Sequence, residues 1–297
     1  MRALSQVLIN VVVFLAFLCG ASFPLKADSV HDELYLEISR LIASATRKKT
    51  GLVLWTDLRQ NSLQIEGDSR LAGEKFRPGS IFKLLTAEAA LHEGLDFHYR
   101  CSGHDRVAGT LQYCWNHRGH GELDLPKALA LSCNLFFSQL SLKLSPSSLL
   151  ATLKSYPDFD AEGLYYKKFS PAAWAKLAIG DSAYFKVTPR QMMSFWKQYL
   201  EKLQDPQMAP IVQGLRRSVQ EGTASKRVKN SFKVLAKTGT SDAEDPSYKT
   251  DAWFLGAYPD ENPRFVFVIF LRRAHGYEEA AALANNLFKV FAKYFPS

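Results

Sequence analysis

The sequence predicts an α/β fold of the α+β kind: a mixed, mainly antiparallel sheet flanked by N- and C-terminal helices, with an all-helical lobe inserted between its strands. Three observations predict it. Strand-like runs occur early and late in the chain, the long middle keeps helical spacing with short loops, and amphipathic segments lie at both ends.

Taken in order, Ser29 to Arg47 repeats apolar residues at helical spacing (Val30, Leu34, Ile38, Leu41, Ile42) and reads as an amphipathic helix. Thr50 to Leu58 and Ser62 to Glu66 read as two strands joined by a turn at Gln60 and Asn61. Arg77, Pro78 and Gly79 break regular structure, and Ile81, Leu84, Leu85, Glu88 and Leu91 then mark a helix ending near Gly94. From about Asp124 to Gln220 the chain is mainly helical, including an Asn134 to Leu144 segment that stops before Pro146. Ser231 to Lys237, Ala252 to Tyr258 and Arg264 to Leu271 are strand-like, and Glu278 to Phe295 is a closing helix. This divides the chain into residues 1–27 and a single catalytic domain, 28–297. Its sheet lobe takes about 28–75 and 230–297, and its helical lobe about 76–229. A cleft between such lobes is the natural place for a site.

Arg2 precedes an apolar run from Val7 to Leu18 broken only by Asn10, followed by small residues and Ala27. That is the layout of a secretory signal peptide with cleavage near Ala21 or Ala27, or of an uncleaved N-terminal anchor. The run is shorter than the roughly 18 residues of a clear membrane span. The expected location is therefore exported, in a periplasm or at the outer face of the cytoplasmic membrane. Hydrophobic residues make up 47% of the chain, enough for a real core, and no internal repeat or low-complexity linker is visible. The formal charge is +8, and +6 once Arg2 and Lys26 leave with the leader. This excess is spread rather than gathered into a stripe, which disfavours nucleic acid and fits association with the membrane or with anionic envelope polymers.

The sharpest chemical signal is Ser80-Ile81-Phe82-Lys83 at a helix start. A separation of three residues puts hydroxyl and amine on one face. A serine needs an adjacent base to attack, and a partly desolvated lysine can be that base, while the helix N-terminus favours a developing negative charge. Alone the tetrad is weak evidence, since a helix-starting serine with a solvated lysine one turn later is common. Two further elements follow in order, Ser132-Cys133-Asn134 at a helix-to-helix junction and Lys237-Thr238-Gly239-Thr240 at the end of an expected strand. This ordered trio is the signature of penicillin-binding proteins and serine β-lactamases.

The chain thus resembles the penicillin-binding protein transpeptidase family. The likeness extends over Phe76 to Lys83, Cys114-Trp115, Gly119-His120-Gly121, Ser132 to Phe137, Ile179-Gly180, Val187-Thr188-Pro189, Gly222-Thr223-Ala224 and Ala252 to Gly256. Several of these look like cell-elongation class B members. The resemblance implies a serine D,D-transpeptidase acting on the D-Ala-D-Ala stem peptides of peptidoglycan, acylated covalently by β-lactams and needing no catalytic cofactor. In it Ser80 forms the acyl-enzyme and Lys83 takes its proton. Ser132 relays a proton to the leaving amine, and Asn134 holds the substrate amide. Lys237 and Thr238 bind the terminal carboxylate, and the backbone N–H groups of Ser80 and Thr240 form the oxyanion hole. Gly239 lets the substrate backbone approach the strand edge. Two departures stand out: the short stretch before Phe76 implies no class B pedestal region, and Ile179-Gly180-Asp181-Ser182 replaces the family's Ile-Gly-Gln-Gly.

Past the leader three cysteines remain, Cys101, Cys114 and Cys133, with His120 between the last two. In an oxidising envelope a Cys101–Cys114 disulfide with Cys133 buried is one reading. A second is a structural zinc on Cys101, Cys114, His120 and Cys133, a complete tetrahedral set that the resemblance to elongation-type relatives also supports, and a third leaves the thiols free. His104 and His117 are alternative ligands, and Trp115 and Trp253 read as packing residues. The fate of the acyl-enzyme stays open between transpeptidation, carboxypeptidation and β-lactam hydrolysis. A class D β-lactamase is disfavoured by Asn134, and a penicillin-sensing or scaffolding module would need an output domain that the chain does not show.

Overall fold

The computed structural model describes residues 28–47, 49–245 and 247–296; the leader-like segment, with Cys19, lies outside them. The chain divides into two compact units, Met1–Leu36 and Glu37–Ser297. Helix α1, Asp28–Thr46, begins in the first, and everything that follows belongs to the second. Among the described residues no helix is long and apolar enough to cross a membrane.

The core of the larger unit is a five-stranded antiparallel sheet in the order β2-β1-β9-β8-β7. Its strands are β1 (Gly51–Asp57), β2 (Gln64–Gly67), β7 (Leu235–Asp242), β8 (Thr250–Tyr258) and β9 (Phe265–Arg272). Strand β9 pairs with β1 on one side (Leu54↔Val268) and with β8 on the other (Leu255↔Val268), so the late strands close onto the early ones. Period-2 alternation sorts their side chains. Phe265 and Phe267 meet the closing helix α10 (Ala281–Tyr294), with Phe265 stacked on Phe291 at a centroid distance of 4.4 Å. On the opposite face Phe270 packs with Phe76 and Trp253. Both faces are covered, which is why β8 and β9 read as nearly unbroken apolar runs. Ile38 and Ile42 of α1 are buried, and its Glu37 accepts hydrogen bonds from Lys293 and Tyr294.

Between β2 and β7 the chain is mainly helical. It runs through α2 (Lys83–His92), α3 (Leu125–Ala130), α4 (Asn134–Ser141), α5 (Pro146–Lys154), α6 (Glu162–Tyr165), α7 (Pro171–Ala178), α8 (Pro189–Lys202) and α9 (Ala209–Gln220). Capping explains several starts: Asp124, Ser170 and Thr188 each accept a backbone N–H at the third helical position, and proline follows at the first or second. The fully buried Trp196 of α8 donates its indole N–H to the Gly256 carbonyl, tying this region to the sheet.

The expected fold class holds, with local differences. Four short strands, β3 (Tyr99–Cys101), β4 (His104–Val107), β5 (Thr110–Tyr113) and β6 (Gly121–Leu123), form two small ribbons that sequence periodicity does not announce. Runs of three or four residues are too short to display alternation. The strand expected at Ser231 to Lys237 instead runs Leu235–Asp242, so Lys237 to Thr240 lie inside it rather than at its end. Thr, Gly, Ser and Asp make a weak strand former, and the ladder to β8 (Lys237↔Leu255, Gly239↔Trp253) overrides that. The closing helix begins with a π-turn, Gly276–Ala280.

Candidate active site

Ser80 sits in a 3₁₀ turn, Gly79–Phe82, that leads directly into α2 and so presents its side chain beside Lys83. Lys83 is fully buried, with its Nζ 3.0 Å from Ser80 Oγ, 3.3 Å from Ser132 Oγ, 2.7 Å from the Ser132 carbonyl and 2.6 Å from Asn134 Oδ1. No carboxylate is among these partners. Burial therefore dominates and lowers the ammonium to about 8, against the opposing pull of Cys114 and Cys133. Ser132 stands at the α3–α4 junction with φ +52°, a left-handed conformation that turns its carbonyl and hydroxyl toward Lys83.

From the far side Lys237 of β7, also fully buried, donates to Ser132 Oγ at 3.0 Å and to the Thr238 carbonyl at 2.8 Å. Burial pushes it well below the usual lysine range, and the neighbouring Lys83 adds to the effect. Thr238 and Thr223, the latter in the turn after α9, set their hydroxyls 2.6 Å apart. The Thr240 hydroxyl accepts from the Gly276 N–H at 3.0 Å.

The turn that carries Ser80 is fastened to the sheet through one carbonyl. Arg77 O accepts from the Trp253 indole at 2.9 Å and from Ser241 Oγ at 3.1 Å, and the Arg77 side chain pairs with Glu244 at 2.8 Å. Two glycines make the close approach feasible. Gly79, at φ +52°, would carry a Cβ 2.5 Å from Thr240 O, and Gly180, at φ +77°, one 1.9 Å from Gly79 O. Gly239 is more crowded than expected for an open strand edge, since a Cβ there would lie 2.9 Å from Ile81 Cγ1.

A cleft of about 400 Å³ opens over Ser80, Ser132, Asn134, Thr238 and Thr240, with Trp115 and Tyr277 among its walls. A smaller recess of about 190 Å³ also meets Ser80 and is lined by Asp181 and Asp242. Trp253 is buried, as a packing residue should be, but Trp115 is 53% exposed and lines the cleft, correcting the expectation that it packs inside. Its indole is held by the Leu131 carbonyl and its ring lies against His120. Thr223, Lys226 and Tyr277 are cleft residues whose place the sequence did not reveal. Only Gly222-Thr223-Ala224 carried a signal, through resemblance.

Cys101, Cys114, His120 and Cys133 converge, every ligand atom lying within 4.8 Å of the others. The three thiols are free, so the Cys101–Cys114 disulfide is not formed. His104 and His117 stand outside the group. Tetrahedral zinc, with Zn–S about 2.3 Å and Zn–N about 2.0–2.1 Å, requires S···S edges of about 3.8 Å and S···N edges of about 3.5 Å. Cys114 Sγ lies 3.8 Å from Cys133 Sγ and 3.5 Å from His120 Nδ1. His120 turns Nδ1 toward the Cys114 sulfur, while its buried Nε2 has no hydrogen-bond partner. The bond to Cys133 draws the Cys114 thiol well down and pushes Cys133 up, so the pair already favours one thiolate. The residues fit the ion.

A family model described as the penicillin binding protein transpeptidase domain matches residues 42–292. Stage V sporulation protein D of Bacillus subtilis (strain 168) is 24% identical, over 68% of this chain and 39% of that protein, so the chain spans about two fifths of this relative. Among solved structures, the transpeptidase domain of Burkholderia pseudomallei penicillin-binding protein 3 aligns with a TM-score of 0.74 at 17% identity, covering 93% of this chain and 98% of that one. Pseudomonas aeruginosa PBP2 aligns with a TM-score of 0.73 at 17% identity, covering 86% and 74%. At such identities the structural likeness speaks for the fold, and the family match, which covers most of the length, speaks for descent: the chain belongs to the penicillin binding protein transpeptidase domain family.

Proposed function

We propose that the protein is an exported serine D,D-transpeptidase that takes the D-Ala-D-Ala end of a peptidoglycan stem peptide onto Ser80 and transfers the acyl group to an amine. The observation that carries this reading is the environment of Lys83. A buried amine with no carboxylate partner, 3.0 Å from a serine hydroxyl, is a base whose neutral form is far more populated near physiological pH than that of an ordinary lysine. Neutral Lys83 accepts the Ser80 proton as Oγ attacks the carbonyl carbon of the penultimate residue. The oxyanion forms against the backbone N–H groups of Ser80 and Thr240. Ser132 Oγ, in reach of both Lys83 and Lys237, carries the proton on to the departing D-alanine nitrogen as the peptide bond breaks. Asn134 steadies the substrate amide and, through Oδ1, the lysine. β-Lactams would occupy the same place, opening onto Ser80 and leaving a stable ester.

In this reading Cys101, Cys114, His120 and Cys133 hold one zinc ion. With all four tetrahedral positions filled by protein the ion is structural, and it ties the ribbons of residues 99–123 to the junction that carries Ser132 and Asn134. The leader-like residues 1–27 would deliver the protein to the periplasm or the outer face of the membrane. Intact-mass measurement after incubation with a penicillin tests the assignment. One adduct per chain is expected in the wild type and none in a folded Ser80→Ala protein; an adduct that persists in the variant would remove Ser80 from its role.

A further inference from the structure

The resemblance to the family assigns the substrate's terminal carboxylate to Lys237 and Thr238, yet the Lys237 ammonium is committed elsewhere. It is fully buried and donates to Ser132 Oγ and the Thr238 carbonyl. Lys83 is equally enclosed by Ser80, Ser132 and Asn134. Of the nearby arginines, Arg77 pairs with Glu244 and Arg227 with Glu278. A substrate that ends in a carboxylate still needs a cation it can reach. Among the described residues lining the larger cleft there is one: Lys226, exposed, with no ion pair or hydrogen bond and with no carboxylate in the same lining.

We infer that Lys226 receives the terminal carboxylate of the donor peptide, beside the hydroxyls of Thr223 and Thr238, and so sets the preference for a free C-terminus; this rests on the acyl-transfer reading above. Lys226 belongs to the tight turn that also holds Thr223. The Thr223 N–H bonds to the Ala130 carbonyl, Ala224 N–H to Ser218, and Arg227 N–H back to Ala224. That turn fixes the Thr223 hydroxyl against Thr238, so the base of the lysine is rigidly placed while its four-carbon stem stays free to reach. One of the two hydroxyls spends its proton on the other, so the pair offers one O–H donor, and with the ammonium it forms a receptor for both oxygens of a carboxylate; such charge-assisted bonds are about twice as strong as neutral ones. The field across Ser80 points the same way. The recess that shares Ser80 with the cleft presents Asp181 and Asp242, which would repel an anion. The dipeptide end is thereby oriented with its leaving D-alanine toward Lys226 and its carbonyl at Ser80.

Acylation by benzylpenicillin and by its methyl ester, which lacks the anion, separates this role from a structural one. In Lys226→Met the ratio of second-order acylation rate constants, acid over ester, should fall about tenfold, since a bond to a charged group is at stake. Lys226→Arg should restore it, and the fall of that ratio with added NaCl expected in the wild type should vanish in Lys226→Met. A ratio unchanged by Lys226→Met, or both probes slowed in equal proportion, overturns the inference. A wild-type protein acylated by neither probe defeats the acyl-transfer reading instead. The carboxylate preference is then read without covalent chemistry, by titrating N-acetyl-D-alanyl-D-alanine and its C-terminal amide into Ser80→Ala protein. Preference for the acid that disappears on adding Lys226→Met supports the inference, and equal binding of acid and amide to Ser80→Ala overturns it.

Discussion

Acylation of Ser80 should accelerate as pH rises through 8, because only neutral Lys83 can accept the hydroxyl proton. Burial holds this amine at about 8 rather than at the ordinary lysine value of 10.5. About a tenth of molecules then carry a neutral Lys83 at pH 7 and about nine tenths at pH 9, a roughly tenfold gain in rate constant. The perturbation is pH itself, with Lys83→Arg as control, since a guanidinium keeps its proton throughout this range. Stopped-flow measurement of acylation by a chromogenic β-lactam between pH 6.5 and 9.5 reads the profile. The same shift acts on stability with a definite sign. A folded-state pKa below the unfolded one means that the unfolded chain binds more protons between about 8 and 10.5, so this residue's contribution to stability improves with rising pH across that window. The full penalty below pH 8 is about 3 kcal/mol. A flat or falling acylation profile in the wild type would refute the assignment of Lys83 as the base, whatever the stability curve does.

Three further outcomes are expected. Protein purified without a metal-affinity tag should contain about one zinc per chain by elemental analysis, and His120→Ala should lower both zinc content and melting temperature; metal-free wild-type protein with unaltered melting would argue against the site. Gly180→Ala places a methyl group 1.9 Å from the Gly79 carbonyl at φ +77°, which should cost about 2–4 kcal/mol in denaturant unfolding and displace Ser80, slowing acylation. Arg264 binds Asp57 Oδ2 through two nitrogens at 2.7 and 2.9 Å, with the carboxylate fully buried. Arg264→Met should therefore destabilise the protein by about 3–5 kcal/mol, and recovery in the double variant with Asp57→Asn would identify the unpaired charge as the cause.

What the sequence by itself determined is what depends on short-range rules. The Ser80–Lys83 spacing makes the two side chains neighbours on any helical turn, and the alternation and apolar density of β1, β8 and β9 imply strands buried on both faces. The four metal-type ligands were legible as a set because thiols and imidazoles are few, although whether they formed a disulfide or a cluster depended on how the chain between Cys101 and Cys133 folded back. Other features had no local signature. The extent of β7 is fixed by its ladder to β8, not by its own weak propensity. Trp115 became a cleft wall and Trp253 a core residue, though composition treats them alike, because one lies on a ribbon beside the site and the other in the middle of a covered sheet. Most of all, the commitment of Lys237 to Ser132 and the freedom of Lys226 came from packing. Burial and pairing are properties of the space around a charge, and that space is assembled from residues more than 100 positions apart, as Ser132 and Lys237 are.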